Sequence, residues 1–173
     1  SNPGEPLSGP EIILVSKKSL SLADGSSILS SGLSQNSLPI SLTGDGVALA
    51  VSSNPLFTSS RSGLTGSKSP NLFLGAGSTV SGATVLLDST YATSIDSTSH
   101  LRAENLSMIS GQVSILLAPQ FGALPGSFVA PHLTLSDNLL ADAMSSKNLL
   151  LRSYSAIDIY GSGKMGSDSL QKL

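Results

Sequence analysis

A short apolar phrase, in which two or three residues of a triplet are large and apolar, returns along the whole chain. It occurs at residues 20–22, 40–42, 72–74, 85–87, 115–117, 133–135 and 149–151. Gly, Asn, Asp or Ser follows each copy within a few residues, and these residue types favour turns. A chain of alternating strands and corners winds into a β-solenoid, in which each coil buries its apolar face only against its neighbours. The repeat therefore predicts a shaft or a binding surface of the all-β class.

The composition indicates how wide the core is. Aromatic residues make up only 4% of the 173 residues, whereas Leu occurs 29 times and Ser 37 times. Aromatic rings normally fill a wide core, so this composition favours a narrow stack lined by aliphatic side chains. Charged residues make up 12% and the mean hydropathy is +0.23, values that argue against disorder. A net charge of −2 gives no electrostatic footprint for nucleic acid or an anionic membrane.

The chain contains no Cys, which excludes disulfides, thiolate metal sites and a cysteine nucleophile. No stretch approaches the ~18 apolar residues of a transmembrane helix. The first residues, Ser1 and Asn2, resemble what remains after removal of a tag. We therefore expect an internal piece of a longer protein, with any export signal outside it.

The distribution of Pro, Gly and Ser predicts the organisation of the chain. Residues 1–10 are expected to be an extended entry segment, residues 11–161 a single β-solenoid domain and residues 162–173 a flexible tail. Two Pro- and Gly-containing stretches, 52–71 and 118–131, interrupt the strand pattern and are predicted to be long loop excursions.

The spacing between the apolar phrases is irregular, which excludes a strict pentapeptide or hexapeptide helix. A parallel β-helix with coils of roughly 20 residues tolerates such variation. An antiparallel β-sandwich is the alternative, because it too has many short strands separated by turns. One further segment, 137–144, fits either a turn or a short helix, since Leu139 and Ala143 have helical spacing behind a Ser136 cap.

If the apolar phrases face inward, their leucines belong to the core. We expect Leu116, Leu135 and Leu150 to be buried, so that truncation of any one to Ala costs about 2–5 kcal/mol.

Residues that could carry chemistry are few and scattered. The two histidines, His100 and His132, lack a second ligand at helical spacing and are expected to be structural. Several acids could align across coils and provide paired carboxylates for glycoside chemistry. These acids are Asp88, Asp96, Glu104, Asp137 and Asp158. No nucleophile elbow, phosphate-binding loop or dinucleotide fingerprint is present. We therefore expect no enzyme activity, no metal and no cofactor.

Two segments resemble a known family. Residues 19–26, SLSLADGS, and especially residues 149–161, LLLRSYSAIDIYG, resemble segments of filamentous haemagglutinin-like exoproteins. These are large bacterial surface adhesins exported by two-partner secretion. The resemblance is firm over 133–161 and looser over 11–51 and 72–117. No functional residue transfers, because the shaft region of that family has no active-site motif.

The resemblance implies a right-handed parallel β-helix within a long fibre, a secreted or cell-surface location and a structural or adhesive role. The implied partners are neighbouring β-helical segments of the same polypeptide, an outer-membrane transporter during export, and host-cell or glycan ligands. Two other function classes stay open, a carbohydrate-active enzyme on a β-helix and a segment of a phage fibre.

Three of the four phenylalanines, Phe57, Phe121 and Phe128, lie in the two excursions. Loops on a rigid scaffold commonly carry recognition residues, so these rings are candidates for contact with a partner. The alternative is that they plug the flank or cap an open edge of the stack. In that case they are buried, and replacement by Ser lowers the melting temperature.

Overall fold

The computed structural model describes residues 5–34, 39–117 and 133–166. Within these ranges the chain forms fifteen strands and one helix. In chain order they are β1 (Leu7–Gly9), β2 (Glu11–Ser16), β3 (Ser19–Leu22), β4 (Ser27–Ser30), β5 (Ile40–Thr43), β6 (Val47–Ser52), β7 (Ser59–Ser62), β8 (Asn71–Leu74), β9 (Thr79–Ser89), β10 (Ala92–Ile95), β11 (His100–Ser110), β12 (Val113–Leu116), β13 (Leu133–Leu135), α1 (Asp137–Ser145), β14 (Asn148–Ser153) and β15 (Ile157–Tyr160).

Two sheets repeat at the same interval along the chain. In the seven-stranded sheet β9 and β11 pair with Thr79 opposite His100, and in a three-stranded sheet β8 and β10 pair with Asn71 opposite Ala92. Both offsets are 21 residues (100 minus 79, and 92 minus 71). Nine of the eleven strand pairings between described residues are parallel. The predicted all-β class with parallel sheets is confirmed, and the pairing does not fit an antiparallel sandwich.

The apolar phrases line the interior because side chains alternate between the two faces of a strand. One row of inward side chains crosses the seven-stranded sheet. It consists of Ile12, Val51, Val85, Leu106 and Leu149. Every member is buried, with an exposed fraction of 9% or less. Leu72 and Leu74 of β8 are completely buried and belong to the same core cluster.

An insert separates the first two repeats. Ser19 of β3 pairs with Asn71 of β8, an offset of 52 residues rather than 21. The additional residues form β5, β6 and β7, of which β6 runs antiparallel between β2 and β9. β5 and β7 form a separate parallel pair. The predicted excursion 52–71 is therefore not a loop throughout, since it contains β7, whose Ser-rich sequence gives no apolar alternation.

The predicted boundaries at the two ends can be compared in part with the structure. The entry segment 1–10 contains β1, which pairs in parallel with β4. The second excursion, 118–131, and residues 167–173 of the predicted tail lie outside the described residues.

Helix α1 confirms the helical alternative for residues 137–144. It begins after Ser136 as N-cap and buries Leu139 and Ala143. Its Asp142 carboxylate accepts a hydrogen bond from the Leu101 backbone N–H at 3.0 Å. The helix thus covers the first half of the β11 edge, where another strand would otherwise pair. In the described ranges, no helix has the length and apolar character needed to cross a membrane.

The expected burial of three leucines holds in full for one of them. Leu135 is completely buried and Leu116 is half-buried. Leu150 is 52% exposed, so the prediction for it is wrong. In a strand only alternate residues face the core, and within the phrase 149–151 the buried residue is Leu149, with Leu151 packed at the edge of the core.

We expect Leu135→Ala and Leu150→Ala to have very different effects on stability. Truncation of Leu135 leaves a cavity in the core and should lower the free energy of unfolding by about 2–5 kcal/mol. Truncation of Leu150 should change it by less than about 1 kcal/mol, since a large part of that side chain already meets solvent. Urea unfolding of both variants measures the difference, and equal losses would contradict the assigned faces of the two strands.

Candidate functional site

The insert covers the outer face of the seven-stranded sheet and builds a second apolar cluster there. Ala50, Phe57, Leu86 and Ile109 are all buried in this outer-face cluster. Ala48 and Ala50 of β6 point to this side, and both are buried although they are small. Their size lets the insert approach the sheet closely. All six residues of β6 are consequently buried, on both faces of the strand.

Beside the outer-face cluster lies a buried ion pair. Arg61 of β7 donates from Nε to Asp88 Oδ2 of β9 at 2.9 Å, with side-chain exposures of 3% and 2%. Arg61 Nη1 also donates to the Gly44 carbonyl at 2.9 Å. The Tyr154 hydroxyl, beyond β14, donates to Asp88 Oδ1 at 3.0 Å. One carboxylate therefore joins the insert, the central strand β9 and the last described repeat.

Burial controls the electrostatics of this cluster. Desolvation raises the pKa of Asp88 above its ordinary value, although Arg61 and the Tyr154 hydroxyl act in the opposite direction. Burial and the adjacent Asp88 carboxylate also raise the pKa of Tyr154 well above its usual range, so it stays a hydrogen-bond donor. Arg61 Nη2 is buried without a hydrogen-bond partner among the described residues, a cost that belongs to the closed packing of the insert.

The raised pKa of Asp88 gives a defined pH dependence. An acid whose pKa is higher in the folded than in the unfolded state contributes stability that is complete below the unfolded value, 3.8, and is lost as the pH rises through the folded value. The free energy of unfolding of the native protein minus that of Asp88→Asn should therefore decrease as the pH rises above about 4. Denaturant unfolding at a series of pH values measures this difference. A difference that stays constant or increases would contradict the assignment.

A groove lies where the insert meets the corners between strands. Its volume is about 370 Å³, and Asp45, Lys68, Tyr91, Gln112 and Tyr154 are among its lining residues. Pockets of this order of size bind small ligands in other proteins.

Hydrogen bonds order one wall of this groove. The Asp45 carboxylate accepts hydrogen bonds from the Thr65 hydroxyl and from the backbone N–H groups of Thr65 and Ser67. The Thr65 hydroxyl is the main cause of a lowered pKa at Asp45, and the backbone donors add to it. The groove thus combines a stably ionised carboxylate, an ammonium group and two phenol rings.

A third feature is the open edge formed by β14 and β15. In the part of the chain that the structure describes, β14 pairs only with β11, and β15 pairs only with β12. Leu150, Ile157 and Ile159 on these strands are 52%, 44% and 56% exposed. Ile157 and Ile159 stand opposite Val113 and Ile115, which are buried. The apolar rows of the core therefore reach this edge and end there uncovered.

The predicted contact residues can be placed in part. Phe57 is 6% exposed and packs in the outer-face cluster, so in this structure it is a core residue. Phe121 and Phe128 lie outside the described residues. The prediction that these rings contact a partner stays untested. The prediction that a Ser substitution lowers the melting temperature applies to Phe57 with the burial it requires.

The residues considered for chemistry occupy separate places. His100 Nδ1 lies 3.4 Å from Asp142 Oδ2 at the helix, and His132 falls outside the described residues. Asp96 bonds to Thr98, Glu104 to Lys147 and Asp158 to Gln112. No cluster of three metal-ligating side chains occurs in the described ranges.

Sequence reasoning missed the central role of Arg61 and Tyr154. Arg61 stands in a Ser- and Gly-rich stretch, and Tyr154 in a segment considered only for its repeat pattern. A lone Arg between serines was the available signal, because a strand of small polar residues has few other groups to hold it on a sheet.

Comparisons with protein-family models, with curated proteins and with solved structures found no match. The functional argument therefore rests on the outer-face cluster, the groove and the open edge.

Proposed function

We propose that the chain is a non-catalytic structural and adhesive segment of a large secreted bacterial surface fibre of the filamentous haemagglutinin type. In this proposal the parallel sheets are part of a right-handed parallel β-helix. The equal 21-residue offset in two sheets supports it, because a solenoid returns each strand to the same face after one coil. The resemblance of residues 149–161 to the shaft of that family supports it as well.

The observation that carries the proposal is the open edge. Monomeric proteins normally protect sheet edges with charges, prolines or a covering element. Here α1 protects the first half of the β11 edge, whereas β14 and β15 present Leu150, Ile157 and Ile159 to solvent. An apolar edge in register with a buried core is what a solenoid shows where a neighbouring coil adds. The partners in this proposal are neighbouring β-helical segments of the same polypeptide.

The adhesive part of the proposal concerns the groove beside Tyr91. Its wall belongs to the insert, a loop-rich element held on a rigid sheet, which is where recognition sites commonly lie. The lining offers two aromatic rings together with Asp45, Lys68 and Gln112. This combination of apolar faces and hydrogen-bonding groups suits host-cell or glycan ligands.

Surface labelling of intact cells tests the proposal. Antibodies against the folded chain should label intact cells that produce the parent polypeptide, and deletion of its outer-membrane transporter should abolish the labelling. Labelling that requires permeabilised cells would overturn the proposed location. Sedimentation of the isolated chain separates the phage-fibre alternative, because an obligate trimer would favour that class over a segment of a single-chain fibre.

A further inference from the structure

We propose that the β14 edge selects the strand that joins it by side-chain type at three register positions. The joining strand has an amide beside Asn148, a large apolar residue beside Leu150 and a carboxylate beside Arg152. The inference rests on the proposed function, because it specifies which kind of strand completes the same open edge.

The register of the sheet defines these positions. β9, β11 and β14 align residue by residue over six positions, Thr84–Ser89, Asn105–Ser110 and Asn148–Ser153. All three strands run in parallel, so a further strand in this sheet continues the same direction and the same alternation. The first, third and fifth positions face outward, and their contacts differ enough to discriminate between partners.

At the first position an amide ladder crosses the sheet. Asn105 Nδ2 donates to the Pro55 carbonyl at 3.0 Å, and Asn148 Nδ2 donates to Asn105 Oδ1 at 2.7 Å. Asn148 Oδ1 is thus the last acceptor of the ladder. An Asn or Gln on the joining strand donates to this oxygen and extends the ladder by one step.

At the third position the joining strand meets an apolar groove. Leu150 stands beside Ser107 and is 52% exposed. A groove of about 530 Å³ runs along it, with Leu56 and Phe57 on the opposite wall. Leu56 is 80% exposed. A large apolar side chain beside Leu150 removes both leucines from water, and a small polar one leaves them exposed.

At the fifth position the edge carries a cation. The row across the sheet runs from Asp88 through Ile109 to Arg152. The Arg152 guanidinium lies over the Tyr154 ring, 5.8 Å from its centroid. None of the carboxylates in the described ranges comes within ion-pair distance of Arg152. An Asp or Glu directly opposite makes a favourable cross-strand pair, and a Lys or Arg makes an unfavourable one.

These requirements identify the occupant as a parallel strand of an adjoining β-helical segment. A second copy of this chain is a poorer fit. Its free edge strand β2 aligns through β6 with β9, which places Glu11 at the amide position and Val15 at the charged position. Val15 gives Arg152 no carboxylate.

Binding of short peptides to the whole chain tests the inference. The matched peptide carries the order amide, three apolar residues, acid and Ser, and variants replace the amide by Leu, the middle apolar residue by Ser, or the acid by Lys. Affinity is measured by fluorescence anisotropy, and pairing at β14 by backbone amide hydrogen exchange. We expect each change to weaken binding by about two- to five-fold, the range that one cross-strand pair supports.

Charge exchange provides the decisive comparison. Arg152→Glu should reverse the preference, so that the Lys peptide binds better than the acidic one, and Arg152→Gln should abolish it. Lys17→Glu, a charge change far from β14 in an exposed turn, should leave the preference unchanged. If all peptides protect β14 equally, the register selection is wrong although the edge still pairs. If none protects β14, the edge-pairing basis of the proposed function is wrong as well.

Discussion

Replacing Arg61 with Met should lower the free energy of unfolding by about 3–5 kcal/mol, the cost of removing one partner from a buried ion pair. The variant leaves Asp88 desolvated with only the Tyr154 hydroxyl for support. The loss should be smaller near pH 4 than at pH 7, because the pKa of Asp88 rises further without Arg61 and protonation then relieves the buried charge. Denaturant unfolding at both pH values measures the effect.

The double variant Arg61→Met/Asp88→Leu controls for the loss of side-chain packing. It removes both charges, so most of the lost stability should return. A double variant as unstable as Arg61→Met alone would show that Arg61 acts by packing rather than through its charge. Arg102→Met, a change at an exposed position on β11, should alter the free energy of unfolding by less than about 0.5 kcal/mol.

Replacing Gly111 with Ala should be the most damaging change of a single methyl group among the described glycines. A Cβ at this position would lie 2.1 Å from the Tyr91 carbonyl oxygen and 2.8 Å from its carbonyl carbon. Both atoms are backbone and cannot rotate away, and Gly111 N–H donates to the same oxygen at 3.1 Å. We expect a loss of about 3 kcal/mol or more, since the corners of neighbouring repeats must separate.

Gly9→Ala is the matched control for Gly111. Its Cβ would have Ile12 Cγ1 at 3.8 Å as the nearest atom, an ordinary contact. Thermal unfolding of the two variants should give a melting temperature close to the native one for Gly9→Ala and a much lower one for Gly111→Ala. Similar melting temperatures would contradict the close approach of the two corners.

The sequence predicted those parts of the fold that depend on periodic apolar residues. The phrases around Leu74, Val85 and Leu135 form strands with buried side chains because their environment is repetitive and apolar. In the segment 47–51 the alternation of large and small residues predicted a strand buried on one face. Both faces are buried, because Ala48 and Ala50 lie under the insert.

The candidate site was less predictable because long-range pairing creates it. Asp88 is 27 residues from Arg61 and 66 from Tyr154 along the chain. Neither separation is a multiple of the 21-residue repeat, so no spacing rule joins these three side chains. The exposure of Leu150 was missed for a related reason, since three consecutive leucines do not reveal which of them faces inward.

The equal 21-residue offsets also determine how this chain acquires its structure in time. Between Asn71 and Leu116 each strand needs only one short loop to reach its partner, whereas joining β3 to β8 closes a loop of 52 residues. Short loops cost less conformational entropy to close, and they close earlier. Folding should therefore nucleate in the uninterrupted central repeats and spread outward, with the insert docking late through Arg61. A chain that folds in this direction provides its own template for each strand that follows.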